Sequence, residues 1–300
     1  MNDGSATAAK TPSARPETWT IASVLKWATD DFKAKGIERP RLDAEVLLAH
    51  ALRSTRVQLV VDAMRPLVPD ELARFKALVL RRRTREPVAY LLGEREFYGR
   101  TFKVDKRVLG PRPDTETLVD VALRRTESRS MSMRALDLCT GSGCVAITLA
   151  KERPTSSFVA TDASKDALVV ARENALRLGA YNVAFAEGDL FAAVAGEGPF
   201  ELVTANPPYV STEAVLGLMP DVRDFEPRMA LDGGPDGLGF VRRILEDAKA
   251  FLAPGGVLAL EIGWDQAEAT TGLFQASGYH DVESTRDHAR IHRVVSGACG

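Results

Sequence analysis

Cysteine is scarce in this 300-residue chain: Cys139, Cys144 and Cys299 are the only three. None stands in the paired spacing of a disulfide framework or a zinc site, so no metal is expected and a reducing compartment fits. Histidine is nearly as sparse, and His50, His280, His288 and His292 are scattered enough that none is assigned a catalytic role. No apolar run reaches the roughly 18 residues that a membrane span needs. The opening MNDGSATAAKTPSARP lacks the apolar core of a signal peptide, so residues 1–16 read as a disordered tail on a cytoplasmic, non-membrane protein. Neither sign of charge dominates, and a net charge of -2 leaves no electrostatic footprint for wrapping nucleic acid. A small substrate or a protein partner fits better, with no direct nucleic-acid contact and a monomeric state expected.

What the chain has is apolar content, 45%, enough for one large core or two smaller ones. Residues 17–86 carry helical periodicity and read as a small helical bundle. Ile21, Val24, Leu25, Ala28 and Phe32 form one stripe, with Thr20 as N-cap and Gly36 as terminator. Leu42, Val46, Leu47 and Leu52 form a second, and Leu72, Phe75, Leu78 and Val79 a third. The run Arg81, Arg82, Arg83, Arg85 closes the bundle as a solvated helix end, with a docking surface for a partner as the alternative. Residues 87–112 mix aromatic and β-branched residues around Gly99 and predict a linking hairpin. From 113 to 300 short apolar runs alternate with helical patterns. Buried strands alternating with helices predict a doubly wound, mainly parallel α/β sheet.

Ligands of such sheets bind beyond the carboxyl ends of the strands, where strand order reverses. The first strand there ends in LDLCTGSGCVAI, with Asp137, then Thr140, Gly141, Ser142 and Gly143 opening into a helix. Glycines let the backbone turn tightly and let a ligand approach the main chain. The next strand ends at Asp162, nineteen residues after Gly143, where a carboxylate can accept both hydroxyl protons of a ribose. Together these predict a nucleoside cofactor. Gly141, Gly143 and Ala146 also satisfy the dinucleotide fingerprint, so a dinucleotide stays open at this point. For S-adenosylmethionine, Asp137 would help hold the ammonium group, Asp189 would accept from the adenine amine, and Leu190 would lie against the ring. Asp137 as a plain turn cap, and Asp189 as loop punctuation, are the alternatives.

The strand ELVTA runs straight into Asn206, Pro207, Pro208 and Tyr209. Proline fixes φ and removes N–H donors, so this corner is stiff and shows carbonyl oxygens with few competing donors. The side-chain oxygen of Asn206 and the carbonyl of Pro207 are two acceptors for the two hydrogens of a planar NH2 group. Tyr209 offers a face for that flat target. A carboxamide or exocyclic amine nitrogen has its lone pair delocalised, so methylating it calls for this kind of grip and no dedicated general base.

With these residues stated, the chain resembles the HemK/PrmC family, the N5-glutamine methyltransferases that modify the Gly-Gly-Gln glutamine of class I peptide-chain release factors. The likeness runs from about residue 17 onward and includes RLDAEVLLAHAL, EPVAYLLGEREFYGRTFKV, VLGPRPDTETLVD, LDLCTGSGCVAI, NPPYV, FEPRMALDGGPDGL and LALEIGWDQ. It implies a helical N-terminal domain that docks the release factor, a linking hairpin and a seven-stranded S-adenosylmethionine-dependent domain. It also implies cofactor contacts at Thr140, Gly141, Ser142, Gly143, Asp162, Leu190 and Asn206, with Asn206 to Tyr209 gripping the glutamine amide. Cys139, counted within the cofactor loop, stands where the family commonly has glycine, and it crowds the cofactor only if φ is positive there. LCTGSGC also resembles the sister enzymes that methylate ribosomal protein L3. DNA adenine-N6 methylation uses the same grip but calls for positive charge this chain lacks. A nicotinamide oxidoreductase leaves NPPY idle, and a non-catalytic scaffold leaves its acceptors unexplained.

Overall fold

A computed structural model of the chain describes residues 18–128 and 132–300. The tail expected over residues 1–16 lies outside the described residues. The chain divides into two compact units, Met1–Val88 and Ala89–Gly300.

In the first unit, α1 (Ile21–Ala34) begins at a capping box: the Thr20 hydroxyl accepts from the Ser23 amide at 3.2 Å, and Ser23 accepts from the Thr20 amide at 2.8 Å. Such a cap contributes about 1 kcal/mol. The helix buries Ile21, Val24, Leu25, Ala28 and Phe32, the stripe its periodicity predicts. Helix α2 (Pro40–Leu52) departs from expectation, because it buries Ala44, Leu47, Leu48, Ala49 and Ala51 while Leu42, Val46 and Leu52 stay half-buried. It packs against both α1 and α4, and small alanines, which carry little weight in a hydrophobic pattern, are what let helices approach on two sides. Helix α3 (Arg56–Val61) has no readable stripe: Leu59 alone is buried, and Val57, Val60 and Val61 are exposed.

Helix α4 (Pro69–Arg83) buries Phe75 and Val79 together with Arg82, which corrects the reading of the arginine run. Arg82 Nε donates to Asp43 Oδ2 at 2.8 Å with both side chains largely buried. Arg83 pairs with Asp31, Arg81 with Glu86, and Arg85 donates to the Gly36 carbonyl. Arg82 and Arg83 tie α4 to α2 and α1 through Asp43 and Asp31, partners far away in sequence that meet the run only in the folded bundle, while Arg81 is exposed and pairs locally with Glu86. Exposed pairs of this kind contribute little; the buried Arg82–Asp43 pair is the one whose rupture would be costly.

Helix α5 (Val88–Leu92) follows in sequence, then the antiparallel strands β1 (Glu94–Phe97) and β2 (Arg100–Lys103). Their two-residue turn, Tyr98 at φ 51° and Gly99 at φ 70°, has the doubly left-handed geometry that matches strand twist. After α6 (Glu116–Arg125) come β3 (Arg134–Leu138), α7 (Cys144–Glu152), β4 (Ser157–Asp162), α8 (Lys165–Leu178), β5 (Val183–Glu187) and β6 (Phe200–Ala205). Short helices α9 (Thr212–Val215) and α10 (Pro220–Arg223) precede α11 (Gly239–Asp247), β7 (Leu252–Glu261), α12 (Ala267–Ala276), β8 (His280–Arg286) and β9 (His292–Ala298). The seven strands from β3 to β9 form one sheet in the order β5-β4-β3-β6-β7-β9-β8. It is parallel except where β9 runs antiparallel to both β7 and β8.

Alternation along the strands feeds a core on each face. Leu136, Leu138, Val203, Leu258 and Leu260 join Val241, Ile244 and Phe274 on one side. Ala135, Leu202, Val257 and Ala259 join Leu118, Val119, Val145 and Ile147 on the other, together with Phe97 and Phe102 of the hairpin. Period-two side-chain alternation thus lets helices cover both faces. The order reverses between β3 and β6, which opens a crevice at their carboxyl ends.

Candidate active site

Strand register brings the two motifs together. In the parallel pair β3–β6, Leu138 lies opposite Ala205, so Cys139 and Asn206 leave the sheet side by side. In the next pair Ala205 lies opposite Leu260, which sets Glu261 level with Asn206 on the other flank. One cavity at this edge is lined by Asp137, Cys139, Thr140, Gly141, Ser142, Asp162, Asp189, Leu190, Asn206 and Pro208. A second, adjoining one is lined by Asn206, Tyr209, Arg112 and Trp264. Neither lining includes Gly143 or Pro207, whose part is in the backbone: Gly143 (φ 81°) caps the start of α7, and Pro207 stiffens the corner after β6.

The glycine loop is held from below. Asp137 is buried, and its two oxygens accept from the hydroxyls of Thr140 at 2.6 Å and Thr204 at 2.7 Å. Burial pushes its carboxyl up to about 6, against the pull of these two hydrogen bonds. Asp137 therefore braces the loop and also lines the cavity. Asp162 accepts from the amides of Gly141 and Ser164, each at 2.8 Å, so it shapes the loop as well as facing the cavity. Burial raises its carboxyl too. Asp189 is exposed and paired with Arg243 at 2.6 Å, beside the buried Leu190.

Cys139 sits at φ 55°, the left-handed region in which the expected crowding arises. A non-glycine residue there costs about 1–2 kcal/mol, and burial pushes its thiol well above the ordinary range. An added Cβ at Gly141, by contrast, would meet nothing within 4 Å, which marks open space directly over the loop. The buried Ser142 hydroxyl has no hydrogen-bond partner among the described residues.

The NPPY corner is braced by groups far from it in the chain. Gln266 Nε2 donates to the Tyr209 carbonyl at 2.9 Å, while Gln266 Oε1 accepts from the Gly263 amide. Val210 exchanges backbone hydrogen bonds with Leu231 and Gly233. The Tyr209 hydroxyl donates to Glu261 at 3.4 Å, and burial pushes the phenol far above its ordinary value. Asn206 is half-buried and its Nδ2 donates to Thr115 Oγ1 at 3.3 Å. Arg112 pairs with the buried Glu226 across the same mouth.

Residues 23–93 match the family described as PrmC N-terminal domain, and residues 115–219 that described as Methyltransferase small domain. A release factor glutamine methyltransferase of Geobacter sulfurreducens is 45% identical over 286 residues, covering 95% of this chain and 99% of that protein. The chain belongs to the release factor glutamine methyltransferase family. A member from Caulobacter vibrioides is 40% identical over 93% of this chain and 96% of its own length. A solved methyltransferase from Pyrococcus furiosus shares the fold alone, with a TM-score of 0.51 at 20% identity over 75% of this chain and 98% of that one. As a member of this family the chain is a methyltransferase, with a helical amino-terminal unit followed in sequence by a unit that carries the seven-stranded sheet.

Several side chains at this family member's site were invisible to motif reading as individuals. Thr115 and Glu261 stand inside PRPDTE and LALEIG, but nothing in either run says that they converge on Asn206. Asn174 on α8 is fully buried; it donates to the carbonyls of Ser142 and Lys103 and accepts from the Lys103 amide. It thereby locks the glycine loop to the hairpin. Unpaired buried polar groups cost about 1–3 kcal/mol each, so Asn174→Leu is expected to lower the unfolding free energy by about 3 kcal/mol in urea titrations. An unchanged midpoint and slope would show that this bracing is dispensable.

Proposed function

We propose that the protein transfers a methyl group from S-adenosylmethionine to the side-chain amide nitrogen of the Gly-Gly-Gln glutamine of class I release factors. The observation that carries this reading is the strand register that sets Asn206 beside the glycine loop, next to a cavity with the donor set a nucleoside sulfonium calls for. That set fits: Asp162 as hydroxyl acceptor, Asp189 and Leu190 for the base, open space over Gly141, and an unpaired buried Ser142 hydroxyl among the described residues. When bound, the cofactor would supply an electrophilic methyl group, its S–CH3 bond breaking as the N–C bond forms and the neutral thioether being the leaving group. Names of relatives that act on release factors support the choice of substrate.

In this reading Asn206 Oδ1 and the Pro207 carbonyl accept the two hydrogens of the glutamine amide. That shifts electron density onto nitrogen and holds it in line for attack, an orientation effect worth up to roughly 7–11 kcal/mol. Tyr209, anchored through its hydroxyl to Glu261 and through its carbonyl to Gln266, walls the second cavity, by which the peptide would enter. After the N–C bond forms, the nitrogen is acidic and releases its extra proton through these acceptors to water. The helical unit, residues 17–86, would dock the release factor, with 87–112 as linker and 113–300 as the catalytic part of a monomeric cytoplasmic enzyme. No helix among the described residues is long and apolar enough to cross a membrane.

The assay is methyl-labelled cofactor with a release factor, its Gln→Ala variant, ribosomal protein L3 and unmethylated DNA in separate reactions. Label is expected in the intact release factor alone. Label in L3 or DNA but not in the release factor would reassign the substrate, and no label anywhere would return the chain to a non-catalytic role.

A further inference from the structure

Glu261 ends β7 as a carboxyl only 1% exposed, one strand away from Asn206. Such a group is expensive to bury without a purpose or good partners. Two hydroxyls face it. Tyr209 donates to its Oε1 at 3.4 Å, its Oε2 has no hydrogen-bond partner among the described residues, and Thr115, itself 2% exposed, lies where its hydroxyl favours the ionised form. Thr115 Oγ1 is also the atom that Asn206 Nδ2 contacts at 3.3 Å, from 91 residues away in sequence.

A threonine hydroxyl has one hydrogen and otherwise only lone pairs. Once that hydrogen points at Glu261, Oγ1 can only accept from Asn206, so the asparagine turns its NH2 toward Thr115 and its Oδ1 away from it. We propose that Thr115 and Glu261 are positioning residues that set the polarity of the Asn206 amide, keeping its oxygen toward the target nitrogen. This rests on the reading of Asn206 as an acceptor. With Glu261 protonated, the carboxyl no longer needs the threonine hydrogen. Thr115 then donates to Asn206 Oδ1, and the amide presents N–H groups to a target that also offers N–H groups. Two donors facing each other cannot grip.

The relay therefore has a working protonation state, and it is the ionised one. Burial pushes Glu261 up to about 7, with Arg293 on β9 favouring ionisation and Asp114, just before Thr115, opposing it. Tyr209 faces it from the corner after β6, and Cys144 approaches from the start of α7. Turnover is expected to rise with pH through about 7 as the carboxyl loses its proton.

The experiment compares kcat, KM, cofactor affinity and pH profile for the full-length enzyme and four variants, with a release factor as substrate. Thr115→Val should lose roughly 10–100-fold in kcat, the usual effect of removing a group that orients a functional side chain, with cofactor affinity little changed. Thr115→Ser, which keeps the hydroxyl, should restore most of it. Glu261→Gln keeps a carbonyl to take the threonine hydrogen but cannot titrate, so the rising limb should flatten. A Thr115→Val enzyme with wild-type kcat, or a serine variant no better than valine, overturns the proposal. So does a limb that persists in Glu261→Gln, which would belong to Asp137, raised to about 6. Asn206→Ala separates the two ideas: if it turns over normally the acceptor reading itself fails, and if it is inactive while Thr115→Val is not, only the positioning role fails.

Discussion

Asn206→Ala is expected to lower kcat by roughly 10²–10³-fold, the range seen when one member of a preorganised polar grip is removed. The amide nitrogen of glutamine is a poor nucleophile because its lone pair is shared with the carbonyl. On the proposed grip, truncating Asn206 leaves the Pro207 carbonyl alone to hold one of the two hydrogens, and the group is free to rotate out of line. The loss should fall on the chemical step, since the glycine loop, Asp162 and the rest of the first cavity are untouched. Cofactor affinity, measured by equilibrium titration, should drop far less than the single-turnover rate. An alanine variant with near-normal turnover would show that the grip lies elsewhere.

Gly237→Ala is expected to disable the same corner from a distance. Gly237 lies in DGGPDG, at φ 74°, and a methyl group there would run into the Tyr209 carbonyl oxygen and come within 2.7 Å of Gln266 Nε2. These two atoms form the hydrogen bond that braces NPPY, at 2.9 Å. Left-handed backbone strain of about 1–2 kcal/mol adds to overpacking of about 1–3 kcal/mol, so the unfolding free energy should fall by some 2–5 kcal/mol. Because a displacement near 1 Å can cost about 10²-fold in rate, kcat should fall by about that factor even in the fraction that folds. Gly234→Ala is the comparison, for its φ is 92° but its methyl would meet nothing within 4 Å. It bears the strain without the clash, so its kcat should stay close to that of the parent. Equal losses of kcat in the two variants would mean that loop strain, and not the Tyr209 contact, controls turnover.

Much of the site was legible because its parts are local. Helical periodicity predicts α1, which buries one face, and short apolar runs predict the strands β3, β4 and β6, which the sheet buries on both faces. The glycine loop and NPPY read directly as well: glycine and proline constrain φ at their own positions, whatever surrounds them. Once alternating strands and helices imply a parallel sheet, both motifs fall at one edge, because each follows a strand at its carboxyl end.

Tertiary structure decided everything that depends on partners distant in the chain. It turned Arg82 and Arg83 of the arginine run from a solvent-facing end into ties to Asp43 and Asp31, and it buried the alanine face of α2 between two helices. It gave Asp137 and Asp162 loop-bracing duties beyond a ligand's needs, and it put Cys139 in the left-handed region. It also brought Thr115 and Glu261 to Asn206. A motif states which atoms a residue owns; which of them point outward depends on where the neighbouring hydrogens go, and those neighbours are assembled only when the sheet closes.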